Sequence, residues 1–149
     1  MKICLAASAG GHLTQLLRLR HIWENRNHFY ITNNRHAIEH PEIKAKVYLV
    51  GWGNRNHPLL ITKILLQCAW IILKERPDVL ISTGAAAGCI LAFFTKIIGG
   101  KVIWIDTISH AEYLTLSGRL IRPFADMFLV QWPEIAEKYP NVSYKGTVI

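Results

Sequence analysis

Covalent or metallic staples have little to work with in this sequence. It holds three cysteines in 149 residues, Cys4, Cys68 and Cys89, far apart and set among apolar neighbours. A disulfide framework or a zinc site needs closer, paired spacing, so these read as buried thiols of a reducing compartment, with no metal. An apolar run of the roughly twenty residues that span a bilayer is also missing. The longest, residues 59–73, is interrupted by Lys63. The apolar stretch near the N-terminus runs only from Ile3 to Ala7, too short for a secretory signal. Acidic residues are scarce, 10 against 17 Lys and Arg, and the resulting formal charge of +7 suits an anionic partner. Lysine and arginine form no run, and aromatic residues do not alternate with them, which argues against nucleic acid. With 51% hydrophobic residues, a phosphorylated lipid or an anionic membrane face fits better. The G-x-G-x-x-G fingerprint is absent, and the second strand ends in Thr32-Asn33-Asn34-Arg35 rather than an acidic residue, both of which count against a dinucleotide.

What is present is organised around the first eighteen residues. Residues 2–7 read as a short buried strand, Ser8-Ala9-Gly10-Gly11-His12 as a tight turn, and residues 13–26 as a helix with Leu13, Leu16, Leu17, Ile22 and Trp23 on its apolar face. A helix start offers unpaired N–H groups and a positive dipole end, and glycine lets a ligand approach the backbone. Two glycines can equally do no more than turn the chain.

Strands are expected over residues 28–32, 46–50, 79–82, 101–105, 127–130 and 142–144. Helices are expected over residues 59–73, 89–98, 116–124 and 133–138. Trp52, between glycines in a loop, reads as a surface anchor or a folded-back core residue. Regular alternation of strand and helix makes this one α/β domain over residues 1–149, a Rossmann-like parallel sheet with helices on both faces. In such sheets ligands sit beyond the carboxyl ends of the strands. That rule gathers residues 8–12, 33–36, 83–87 and 106–110 on one rim. The helix over 59–73 has a broad apolar surface including Leu60, Ile64 and Trp70. It either covers the sheet or packs on it while dipping into lipid, together with Phe93 and Phe94 of the next helix.

The segments Ser8-Ala9-Gly10-Gly11-His12, Ser82-Thr83-Gly84-Ala85, Gly99-Gly100-Lys101-Val102-Ile103-Trp104-Ile105-Asp106 and Phe124-Ala125-Asp126-Met127-Phe128-Leu129-Val130-Gln131-Trp132 resemble, in this order, the N-terminal half of GT-B glycosyltransferases. Most similar are the bacterial exopolysaccharide and capsule subunits that pair with a separate catalytic subunit. Related arrangements occur in the membrane-anchoring subunit of the eukaryotic dolichol-linked N-acetylglucosaminyltransferase and in the lipid II glycosyltransferase.

The resemblance implies an acceptor-binding subunit, inactive alone, that holds a polyprenyl-diphosphate-linked sugar. It would recruit a catalytic UDP-sugar-binding subunit to the cytoplasmic face of the plasma membrane as a peripheral protein, without a cofactor. Lys145-Gly146-Thr147-Val148 resembles the interdomain junction of the one-chain enzymes, where a donor domain would follow. His12 would then be the catalytic base or a diphosphate ligand, and Gly10, Gly11, Thr14, Thr83, Gly84 and Ala85 would contact the acceptor. Asp106 would bind a sugar hydroxyl, unless it caps the turn that follows. Ser109, His110 and Glu112 are weaker candidates, and Gln131-Trp132 reads as structure or partner interface. A self-sufficient Rossmann-like nucleotide-binding enzyme and a membrane scaffold without a site remain the alternatives.

Overall fold

Seven short apolar runs pair into a single parallel sheet in the order β3-β2-β1-β4-β5-β6-β7. The computed structural model describes residues 1–51 and 58–148, so Trp52 lies outside the described residues. The strands are β1 (Lys2–Ala6), β2 (Asn27–Thr32), β3 (Lys46–Leu49), β4 (Val79–Ser82), β5 (Lys101–Ile105), β6 (Met127–Val130) and β7 (Ser143–Tyr144). The helices are α1 (Gly11–Arg18), α2 (Pro58–Glu75), α3 (Ala85–Ile97), α4 (Leu116–Ile121) and α5 (Pro133–Lys138). The expected Rossmann-like architecture is therefore present, with helices on both faces.

Side chains alternate across each strand and build two cores. Ile3 and Leu5 of β1 face one side with Leu13, Leu16 and Leu17 of α1, Trp23 and Tyr30. Cys4 and Ala6 face the other, under Ile64, Cys68 and Ile72 of α2 and Leu91 of α3, beside Trp104 of β5. The chain winds outward from β1 to β3, crosses back through α2 to β4, and winds the opposite way to β7. The winding direction reverses between β1 and β4, the point beyond whose carboxyl ends ligands sit in sheets of this kind.

Helices α1 and α3 differ most from the periodicity, and α4 ends at Ile121 rather than at residue 124. Helix α1 ends at Arg18 rather than continuing to residue 26, and a 3-10 turn over Arg20–Ile22 follows. That tighter turn leads the chain back toward β2 with Trp23 buried, its Nε1–H donating to the Tyr30 hydroxyl at 3.1 Å. Ile22, expected on the apolar face, is exposed as a result. Helix α3 begins at Ala85, four residues before the expected start. Its small residues are needed for packing: a Cβ at Gly88 would stand 2.3 Å from the Ser82 hydroxyl oxygen.

The foot of the sheet is tied by carboxylates. Glu75 at the end of α2 accepts from Lys2, from the Tyr48 hydroxyl and from Lys46 Nζ at 2.9 Å. These hydrogen bonds, led by that from Lys2, lower its carboxyl from 4.5 to about 2. Burial alone would raise the Asp126 carboxyl, but the Val102 N–H, Lys96 and Lys101 outweigh it and hold it at about 2. A carboxyl whose pKa falls on folding stabilises the fold once ionised. Its contribution is complete above the unfolded value and vanishes as pH drops through the folded one. Glu75→Gln should therefore cost about 1–2 kcal/mol at pH 7, less than the full shift because water screens the lysines. In paired thermal melts, the gap between wild type and Glu75→Gln should be widest at pH 7 and close between pH 4.5 and about 2. A gap independent of pH would show that Glu75 acts through packing.

Candidate functional site

Two strand-to-helix turns meet above the β1/β4 reversal. The first is residues 7–10, leading from β1 into α1, and the second is Thr83-Gly84, leading from β4 into α3. Gly10 (φ +82°) and Gly84 (φ +124°) precede the two helices in a backbone conformation that favours glycine. Ala85 follows at φ +69°, a strained value for a residue with a Cβ. Neither helix has a side-chain cap or an acidic residue in its first turn, so both starts are electropositive and unpaired by their own side chains. A Cβ at Gly10 or Gly11 would meet nothing within 4 Å, so both glycines face open space.

His12, half-buried in the first turn of α1, crosses to the second turn, where its Nδ1 lies 2.6 Å from the Thr83 carbonyl oxygen. The hydroxyl of Thr83, a fully buried residue, donates back to the His12 carbonyl at 2.7 Å. The imidazole rests over Gly84, where a Cβ would stand 2.9 Å from His12 Cε1. Thr14 is exposed on the first turn of α1, its hydroxyl donating to the Gly10 carbonyl at 3.3 Å. Asn33, beyond β2, accepts from the Ala9 N–H at 2.7 Å and braces the glycine turn. The structure thus brings Gly10, Gly11, His12, Thr14, Thr83, Gly84 and Ala85 together.

Asp106 takes the second of its two expected roles, securing the turn that follows rather than meeting a sugar hydroxyl. It is 2% exposed, and its oxygens accept from the Thr115 N–H at 2.9 Å, the Thr115 hydroxyl at 2.7 Å and Trp104 Nε1–H at 3.2 Å. It secures the residue that caps α4 and offers no oxygen to a sugar hydroxyl. Ser109, His110 and Glu112 are exposed on the loop beyond. Among the described residues no group of three or more His, Cys, Asp or Glu could hold a metal ion.

The sequence marks Gln131 only as structure or partner interface, and no local pattern gives its partners. Its buried amide donates to Gln15 Oε1 and to the Asp106 carbonyl, both at 3.0 Å, and accepts from the Val148 N–H at 2.9 Å. It joins α1, the β5 loop and the C-terminal segment. That segment borders a groove of about 370 Å³, where Ile103, Met127 and Leu129 of β5 and β6 lie open beside Ile22 and Trp23. Helix α1 covers only the other half of this sheet face.

The proposed lipid-facing residues divide. Trp70 and Phe93 are 55% and 50% exposed, Leu60 is also exposed, and Phe94 is half-buried beside Phe93. Ile64 is 3% exposed and packs into the sheet core instead, because Cys68, Ile71 and Ile72 continue its stripe at helical spacing. Leu59, Leu65, Leu66 and Leu73 of α2 and Ile97 of α3 are further exposed apolar residues that accompany Trp70 and Phe93. Lys74 lies over the Trp70 ring, 4.5 Å from its centroid. No helix among the described residues is long and apolar enough to cross a membrane.

The family model described as "Oligosaccharide biosynthesis protein Alg14 like" matches residues 45–148. The UDP-N-acetylglucosamine transferase subunit ALG14 of Mus musculus is 25% identical, over 100% of this chain and 83% of the mouse protein. The subunit of the same name from Yarrowia lipolytica is 34% identical over 53% of this chain and 39% of its own length. Among solved structures, Acinetobacter baumannii MurG superposes with a TM-score of 0.76 at 11% identity, covering 98% of this chain and 45% of MurG. A UDP-N-acetylglucosamine 2-epimerase from Rickettsia bellii gives 0.73 at 16% identity, with coverage of 99% and 45%. The chain thus spans less than half of the Yarrowia relative and of both solved structures.

Proposed function

The chain belongs to the family of Alg14-like oligosaccharide biosynthesis proteins, and from that premise we propose that it is the acceptor-binding subunit of a UDP-sugar-dependent glycosyltransferase, inactive alone. One observation carries the reading: an imidazole stands between two electropositive, uncapped helix starts at the reversal point of the sheet. The α1 and α3 starts hold the diphosphate of a polyprenyl-diphosphate-linked sugar, for which Gly10 and Gly11 leave room. His12 takes the proton of the acceptor sugar hydroxyl as its oxygen bonds to the anomeric carbon of the donor, and the bond from that carbon to UDP breaks. Removal of that proton by a placed base is worth about 10²–10⁴ in rate.

The donor site belongs to a catalytic partner subunit. The groove beside residues 145–148 fits its docking, since the apolar half-face of β5 and β6 lies open where the C-terminal segment leaves the sheet. Trp70, Leu66 and Phe93, with a net charge of +7, hold the subunit peripherally on the cytoplasmic leaflet. The relatives named above are eukaryotic and carry the name of a UDP-N-acetylglucosamine transferase, not of exopolysaccharide or capsule assembly. Surface-polysaccharide assembly is accordingly the finer form of the proposal, and a lipid-linked acceptor its core.

The reading is tested by reconstitution. Vesicles containing polyprenyl-diphosphate-N-acetylglucosamine and labelled UDP-N-acetylglucosamine should yield no labelled lipid with this chain alone, and should yield it once a donor-binding subunit is added. Steady turnover by the isolated chain would overturn the division of labour.

A further inference from the structure

A single contact decides which nitrogen of His12 is free. Nδ1 faces the Thr83 carbonyl oxygen at 2.6 Å. A carbonyl oxygen can only accept, so Nδ1 carries the hydrogen and the neutral ring keeps its lone pair on Nε2. No described residue bonds Nε2. The carbonyl that sets this arrangement is itself held by a second bond between the same residues, from the Thr83 hydroxyl to the His12 carbonyl at 2.7 Å. The two residues, 71 positions apart, thus bond each other in both directions, each side chain to the other's backbone. Gly84 gives the ring its seat, since any Cβ there would collide with it.

We propose that Thr83 is a positioning residue that holds His12 in the Nδ1–H tautomer and directs the Nε2 lone pair toward the acceptor rim. Thr83 was expected to touch the acceptor; being fully buried, it acts on the reaction through His12. The inference rests on His12 as the base, and it adds which atom is basic and what makes it so. A loose loop would let the ring turn and move the proton to Nε2, removing the base without removing the histidine. Coupling the two turns also means that a diphosphate seated on the α3 start braces the base on the α1 start.

The test separates the tautomer from the chemistry. Long-range ¹⁵N–¹H correlation spectra of the chain, labelled at histidine nitrogen and assigned with His12→Gln, read the protonated nitrogen directly. Above the imidazole titration, His12 should show a protonated Nδ1 and a bare Nε2. Thr83→Ser should keep that pattern, and Thr83→Val should shift it toward a mixture of tautomers. In the assembled enzyme, Thr83→Val should lower kcat on the order of tenfold with little change in acceptor KM, and Thr83→Ser should restore it. An Nε2–H signal in the wild type would overturn the inference while leaving His12 a candidate ligand. A tautomer lost in Thr83→Val with kcat unchanged would overturn the role of His12 as base. If Thr83→Val fails to fold by circular dichroism, the wild-type spectrum still decides the tautomer.

Discussion

His12→Ala in the assembled transferase should lower kcat by about a hundredfold or more, the loss expected when a positioned general base is removed. Folding should survive, because the imidazole is half-buried over a glycine at the rim and contributes little to either core. Gly84→Ala should imitate the loss without touching the histidine. Its Cβ would stand 2.9 Å from His12 Cε1, and the backbone there sits at φ +124°. A role limited to gripping the diphosphate would have another signature: a raised KM for the lipid acceptor and nearly normal kcat at saturation. Steady-state kinetics across acceptor concentrations distinguish the two, with circular dichroism and co-purification of the partner as controls. Unchanged kcat and KM in His12→Ala would remove it from the reaction and reduce the glycine turns to chain reversals.

Replacing Leu66, Trp70 and Phe93 together by serine should release the protein from vesicles. Each is at least half-exposed on the outer surface of α2 or α3. Completing the burial of one large apolar side chain is worth about 1 kcal/mol when half of it is already covered. Three such residues supply about 3 kcal/mol, or about a hundredfold in partitioning. Wild-type protein should sediment with anionic vesicles, less with neutral ones, and less again in high salt. The triple variant should stay in the supernatant with its helical spectrum intact. Equal sedimentation of the two proteins would move the lipid contact elsewhere. Ile64→Ser makes the contrasting control: it is buried under the sheet, so it should unfold the domain rather than detach it.

That contrast marks what could be read from sequence. Continuous apolar runs such as Lys2–Ala6 and Lys101–Ile105, each followed by a turn and a helix, announced a parallel sheet. The carboxyl-end rule then placed His12 and Thr83 on one rim. Helix α2 was legible as a helix but not in its orientation, because apolar residues surround most of it. Nothing in the periodicity separates Ile64, which faces the sheet, from Leu66, which faces out. Asp106 stood at the right strand end to meet a sugar, but Thr115 and Trp104 claim its oxygens, and those partners are fixed only by the path of the loop. The reciprocal bonds between His12 and Thr83 span 71 positions and leave no local pattern at all.

The Gln131 amide sets a timetable for the newborn chain. Strand β1 is synthesised first, but its neighbour β4 follows only some seventy residues later, and the buried Gln15 beneath the His12 turn finds Gln131 116 positions on. Contacts so distant in sequence form late, since the loop between them must close first. Helix α1 leaves the ribosome early and can cover its apolar stripe with β1, Trp23 and Tyr30, but the amide network that ties it to β6 closes only when Gln131 and residue 148 arrive. During that interval the chain is most exposed to misassembly. A slowed or truncated translation product lacking β6 would carry the entire glycine turn and no finished site.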